Sequence, residues 1–373
     1  MSDANLDELT DACTAVTPRS NQHLLLDLRI IRLDETNAGF LEITPDDGFV
    51  GALDDLDDGT FAATTAIETG NAGEHAGNWQ MSNVCRHRQA IMLQGSGTTE
   101  HVVCPVHRWT YDRQGDLIGA PHFAQKPCLG LKRDALERWN GLLFKGPRSP
   151  NTDLAGMKVA HDLDFTGYKL DKVEIHECNY NWKTFIEVYL EDYHVGPFHP
   201  GLGNFVTCDD LKWEFASEYS VQTVGVAPSF GNPGSDIYKK WHEVLLAYRN
   251  GDLPERGAIW LTYYPHIMVE WYPHVLTVST LHPLAVDRTL NVVEFFYPEE
   301  IAAFEPEFVQ AQKAAYMETC IEDDEIAERM DGGRKALYER GDNEVGPYQS
   351  PMEDGMQHFH EWYRKALDTT IVA

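Results

Sequence analysis

Two short segments constrain this 373-residue chain more than any others: SNVCRHRQAIML at 82–93 and VVCPVHRWTYD at 102–112. They place Cys85 with His87 and Cys104 with His107, and sixteen residues separate the first histidine from the second cysteine. Four metal-binding side chains in the order Cys, His, Cys, His have to converge from two loops, so the surrounding fold needs two facing turns. A zinc finger is the first competitor. Fingers set a cysteine pair before a histidine pair, and the one-residue gap with alternating order fits that poorly.

The bulk properties narrow the field. With 43% apolar and 11% aromatic residues the chain is globular, and its length predicts two domains or one elaborated domain. A net charge of -29, from 59 acids against 30 Lys plus Arg, argues against a nucleic-acid partner, because phosphate neutralisation needs a basic surplus. No apolar run approaches the roughly 20 residues of a membrane helix. The start MSDANLDELTDACTAV lacks the basic and apolar regions of a secretory signal, which predicts a cytoplasmic location. Seven scattered cysteines read as free thiols, and the acidic run PDDGFVGALDDLDDGT reads as a solvated loop.

Along the chain, 41–150 reads as short strands (WQMSNV, EHVVCPV, GLLFKG) between turn residues, a small all-β module. RSPNTDLAGMK at 148–158 reads as a linker. Beyond it the pattern is α+β, with a helix predicted over NWKTFIEVYLEDYH and consecutive antiparallel strands over 257–298. From Glu305 it is helical, broken near DGGR and resuming at EDGMQHFHEWYRKAL.

A Rieske [2Fe-2S] centre needs the ligand set of the two loops: two thiolates on one iron, two neutral imidazoles on the other. Residues 83–118 resemble the Rieske domain of ring-hydroxylating oxygenase alpha subunits. The family commonly carries glycine where this chain has Gln89 and Arg108.

In NWKTFIEVYLEDYHVGPFHP, His194 and His199 flank Gly196 and Pro197, which are expected to end the helix and let the second imidazole swing back toward the first. Two histidines and one carboxylate form the facial triad of non-haem iron(II) oxygenases. The segment is similar to the alpha-subunit motif, matching at Asn181, Trp182, Lys183, Glu187, Glu191, Tyr193, His194 and His199 and departing at Val188. By that resemblance Glu191 bridges His194 to a Rieske histidine, His87 or His107, of a neighbouring subunit. On a continuous helix Glu191 also shares the face of His194, three residues on, with Asp192 turned away as its rival. CIEDDEIAERMDGGR resembles the family's late acidic helix, which makes Asp323 the third iron ligand, with Asp324 the alternative.

The resemblance implies an all-β Rieske domain at 41–150, a helix-grip-like antiparallel-sheet catalytic domain at 151–373, and an N-terminal segment, 1–40, packing on the catalytic domain. It implies one [2Fe-2S] cluster, one mononuclear Fe(II), an NAD(P)H-dependent reductase or ferredoxin as electron donor, and a homotrimer. Arg86, Arg88, Arg108 and Arg113 form a basic collar that would receive an acidic donor. The chain then acts as a terminal oxygenase that hydroxylates or dealkylates a small aromatic compound or quaternary ammonium. Aromatics such as Phe205, Phe215, Phe230, Trp260 and Tyr272 are candidates for lining its pocket. A Rieske electron carrier or a non-catalytic binding descendant are the alternatives.

Overall fold

The structure, a computed structural model, describes residues 78–371 apart from 94, 147 and 343, together with strands at 29–31, 60–63 and 66–69. The remainder of the N-terminal segment and the acidic run at 45–59 lie outside the described residues. The chain divides into one compact unit of Met1–Glu137 and Leu143–Pro147 and a second of Arg138–Leu142 and Arg148–Ala373.

The first unit is built on strands β1 (Arg29–Ile31), β2 (Thr60–Ala63), β3 (Ala66–Thr69), β4 (Asn78–Ser82), β5 (Gly95–Thr98), β6 (Val102–Val103), β7 (Thr110–Tyr111), β8 (Leu117–Gly119), β9 (Arg133–Trp139) and β10 (Leu142–Lys145). One sheet runs β1-β10-β9-β4-β3-β2-β5, and a smaller one runs β6-β7-β8. Strand β1 pairs with β10, so this part of the N-terminal segment joins the first unit's sheet, where packing on the catalytic domain was expected. Asn140 and Gly141, with φ of 48° and 89°, close the β9–β10 hairpin as a tight two-residue turn. Both Cys/His segments are also hairpin loops. One is closed by the Val84–Ile91 bridge and the other joins β6 to β7.

In the second unit the elements are α1 (Pro150–Asp153), β11 (Tyr168–Cys178), α2 (Trp182–Tyr189), α3 (Val195–Phe198), β12 (Val206–Phe215), β13 (Tyr219–Val226), α4 (Asp236–Tyr248), β14 (Ala258–Tyr263), β15 (Ile267–Tyr272), β16 (Val275–Ala285), β17 (Arg288–Pro298), α5 (Glu299–Phe304), α6 (Pro306–Arg340) and α7 (Asp354–Ile371). The sheet is an antiparallel meander in the order β11-β17-β16-β15-β14-β13-β12. Alternation along its strands puts one set of side chains against the helices. Trp241 and Leu245 of α4 and Phe308, Ala311 and Ala315 of α6 share a core with Val293, Phe295 and Tyr297 of β17. A second core joins Ile186 of α2, Met268 of β15 and Phe359 of α7.

Helix α6 does not break at DGGR but runs through Gly332 and Gly333 to a left-handed cap at Gly341. The residues either side of the glycines are tied to α2. Asp331 accepts hydrogen bonds from Asn181 N at 2.9 Å and Thr184 Oγ1 at 2.5 Å, and Arg334 pairs with buried Glu187. Tertiary bonds thus outweigh the low helix propensity of two glycines, about 1 kcal/mol each. A Cβ at either glycine would meet nothing within 4 Å. Gly332→Ala and Gly333→Ala should therefore each raise stability by about 0.5–1 kcal/mol, read from the urea midpoint, whereas a break in the helix there would make them neutral or destabilising.

Candidate metal centres and the adjoining cavity

The two Cys/His loops repeat one backbone design. Cys85 N donates to Ala90 O at 2.9 Å and Gln89 N to Cys85 O at 3.0 Å; Cys104 N donates to Trp109 O at 2.8 Å and Arg108 N to Cys104 O at 3.0 Å. The fourth residue after each cysteine is left-handed, with φ of 54° at Gln89 and 59° at Arg108. These are the positions where relatives commonly carry glycine, so the loop shape is kept at a cost of about 1–2 kcal/mol per residue. Both thiols are buried in one core with Met81, Trp109, Tyr111 and Leu117. The His87 and His107 rings stand 4.6 Å apart, and the His87 ring stacks on Trp109 at 4.9 Å. Tyr111 Oη lies 3.6 Å from Cys85 Sγ and accepts from Arg86 N at 3.1 Å.

That geometry fits a mixed cluster. His87 Nδ1 is buried without a hydrogen-bond partner, an orphan that a metal ligand would explain. Desolvation, the His107 ring and Arg88 hold the His87 imidazole below its usual pKa, which favours the neutral, ligating form.

In the second unit His194, His199 and Asp323 each offer a ligand atom, all within 4.8 Å of one another. Asp323 Oδ1 lies 3.0 Å from His199 Nε2 and 3.3 Å from His194 Nε2. The Nδ1 side of each ring faces a different carboxylate: Glu191 Oε1 is 2.7 Å from His194 Nδ1, and Glu322 Oε2 is 2.7 Å from His199 Nδ1. Such partners fix ring orientation and raise ligand basicity. Burial alone would lower the His194 pKa, but Asp323 and Glu191 raise it to about 10. Burial likewise opposes charge on His199 while Asp323 and Glu322 raise its pKa, so an entering metal would compete with protons here.

The local backbone differs from the continuous helix read from the sequence. Helix α2 stops at Tyr189, and the histidines bracket the separate one-turn helix α3, with Gly196 and Pro197 inside it. Pro197 is tolerated because first-turn N–H groups have no intrahelical acceptor to lose. Glu191 therefore reaches His194 through a bend, not along a helical face. Asp192, also off the helix, is 3% exposed, and burial raises its carboxyl to about 8 against the pull of His194.

Asp324 points elsewhere. Its Oδ2 is 2.7 Å from His176 Nε2, and its Oδ1 accepts from Tyr180 Oη at 2.8 Å. With Cys178 this forms a second trio within 4.8 Å. Burial pushes the Cys178 thiol up to about 12.

A cavity with about 80 Å³ of free space adjoins His194, His199 and Asp323. Of the aromatics anticipated from the sequence, Phe205, Trp260 and Tyr272 line it, while Phe215 and Phe230 do not. Phe185, Tyr189, Tyr238, Trp241 and Tyr316 complete its aromatic wall, and Val188 adds an aliphatic surface. Glu270 was missed. Its signal was the lone acid in the apolar run HIMVEWYPHVL, and it is 1% exposed on β15.

The left-handed loop positions make a direct prediction. Arg108→Gly should keep the visible absorption of the cluster without loss of stability, whereas β-branched Arg108→Val should lower cluster occupancy. Absorbance per iron distinguishes the two, and equal occupancy in both variants would contradict the backbone account.

Comparison with known proteins agrees with this arrangement. Residues 49–133 match the Rieske [2Fe-2S] domain, and residues 162–369 match the ring hydroxylating alpha subunit (catalytic domain). The putrescine 2-hydroxylase of Ralstonia nicotianae is 67% identical over 288 residues, covering 77% of this chain and 79% of its own. That of Bordetella bronchiseptica is 61% identical over 305 residues, covering 78% and 71%. Among solved structures, a quaternary ammonium Rieske monooxygenase bound to an inhibitor has a TM-score of 0.62 at 19% identity, over 82% of this chain and 84% of that one, a likeness of fold. This chain belongs to the Rieske oxygenases, as an alpha subunit joining a Rieske [2Fe-2S] domain to a ring-hydroxylating catalytic domain.

Proposed function

We propose that this terminal oxygenase hydroxylates a short aliphatic diamine, 1,4-diaminobutane, at carbon 2. The observation that carries the reading is the cavity itself, which places two further buried carboxylates, Asp192 and Glu270, beside the His194, His199 and Asp323 trio. Buried acids suit a cationic substrate and are costly in a site for a neutral ring. The similarity to putrescine 2-hydroxylases supports the same substrate.

In this reading Cys85, His87, Cys104 and His107 hold the [2Fe-2S] cluster, and His194, His199 and Asp323 hold Fe(II). The iron supplies dioxygen activation: per turnover one oxygen atom enters a C–H bond, the other leaves as water, and two electrons and two protons are consumed. Glu191 and Glu322 keep the two imidazoles oriented, with Nε2 of each ring turned to Asp323. The aromatic and aliphatic wall excludes bulk water from the reacting carbon.

Electrons come from an NAD(P)H-dependent reductase or ferredoxin in the cytoplasm. Arg86, Arg88 and Arg108, all exposed, offer a basic approach to the cluster loops. Glu191 is the bridge to the cluster of a neighbouring subunit in a homotrimer. Exposed Val106, next to His107 in the chain, and Phe123, 5.9 Å from the His87 ring, are 55% and 46% accessible and support coverage by a second copy.

With reductase and NADH the protein should convert 1,4-diaminobutane to its 2-hydroxy product with matched NADH consumption. Turnover of a quaternary ammonium or an aromatic acid in its place would overturn the substrate. Glu191→Gln should retain cluster reduction and iron content yet lose about 10- to 100-fold in coupled turnover. Full turnover in that variant would remove Glu191 from the electron path.

A further inference from the structure

Glu270 lies mid-strand on β15, paired across the sheet with Trp260 on one side and Thr277 on the other. Alternation turns Ile259, Leu261 and Val269 to the opposite face, so Glu270 shares its side of the sheet with Trp260, Met268, Tyr272 and Thr277. Hydroxyls of Tyr316, Tyr272, Tyr189 and Thr277 all act on the carboxylate, but its two oxygens are served unequally. Glu270 Oε1 accepts from the Tyr316 hydroxyl at 2.9 Å, whereas Oε2 is buried without a hydrogen-bond partner. The Tyr189 hydroxyl, on the same cavity wall, is likewise buried without a well-aligned hydrogen bond, although it too acts on Glu270. The Tyr272 hydroxyl accepts from Trp260 Nε1 at 2.9 Å, which leaves its own proton to act on the carboxylate. A buried carboxylate with an under-served oxygen beside a cavity favours a ligand that brings donors.

We propose that Glu270 anchors one ammonium group of the diamine, forming a cation subsite in the cavity separate from the metal ligands. This rests on the diamine reading above. A primary ammonium has three N–H donors, enough to serve Glu270 Oε2 and the Tyr189 oxygen together. A quaternary ammonium has none and would leave Oε2 bare. Tyr316 holds the carboxylate from the α6 side, and the Trp260 and Tyr272 rings wall the subsite with the π-faces that cations favour. Burial pushes the empty Glu270 carboxyl up to about 7, against the pull of the Tyr316, Tyr272 and Tyr189 hydroxyls, so an arriving ammonium takes the place of a proton near neutral pH. An anchor at a fixed place in the cavity also selects which carbon of a slender chain meets the metal, and how long that chain is.

The test is steady-state kinetics of the iron-loaded protein with its reductase, using 1,4-diaminobutane and 1,5-diaminopentane. Glu270→Gln should raise KM for 1,4-diaminobutane by about 100-fold with a much smaller change in kcat, while iron content and cluster absorption stay at wild-type values. Glu270→Asp keeps the charge and withdraws it by one methylene. It should shift kcat/KM toward 1,5-diaminopentane by about 10-fold relative to the wild type. If Glu270→Gln does not fold, the length preference of Glu270→Asp decides. A wild-type KM in the first variant, or an unchanged length preference in the second, overturns the anchor alone. A wild type that oxidises neither diamine overturns the substrate reading and the anchor with it.

Discussion

Two imidazoles gripped by carboxylates are what the catalytic unit is organised around. His194 and His199 share Asp323 on their Nε2 sides, and each has its own acid, Glu191 or Glu322, on the Nδ1 side. Two of these acids come from α6 and the histidines from the ends of α3, so the contact clamps a long helix to a short turn. The clamp depends on the packing of α6 against α4 and the sheet, through Phe308, Trp241 and Phe295. It also depends on α6 being continuous, since Asp331 and Arg334 tie its far half to α2.

The four consecutive acids of α6 show where sequence stops deciding. Successive helical residues point about 100° apart, so Glu322, Asp323, Asp324 and Glu325 must face four directions. Glu322 meets His199 Nδ1, Asp323 both Nε2 atoms, Asp324 His176 and Tyr180, and exposed Glu325 pairs with Arg329. Composition makes these acids equivalent. Their roles follow from the rotation of the helix, which packing sets.

The meeting of the two Cys/His loops was legible, because their short spacing makes each a hairpin that delivers its cysteine to one core. The reasons were less so. Glu191 approaches His194 through a chain bend, although a helical face had predicted the same neighbour. Glycine was the sequence expectation at the left-handed loop positions, yet Gln89 and Arg108 take the same φ there. Glu270 went unread because strand periodicity treats a single acid as a solvent-facing residue. Only the covering helices show that its face of β15 is closed.

The central claim is that iron sits with His194, His199 and Asp323, and not with the neighbouring His176, Cys178 and Asp324. Anomalous diffraction at the iron edge from crystals of the iron-loaded protein tests it directly. The account predicts two adjacent peaks at the Cys85, His87, Cys104 and His107 loops and a third within bonding distance of His194 Nε2, His199 Nε2 and Asp323. A third peak between His176, Cys178 and Asp324 would contradict it.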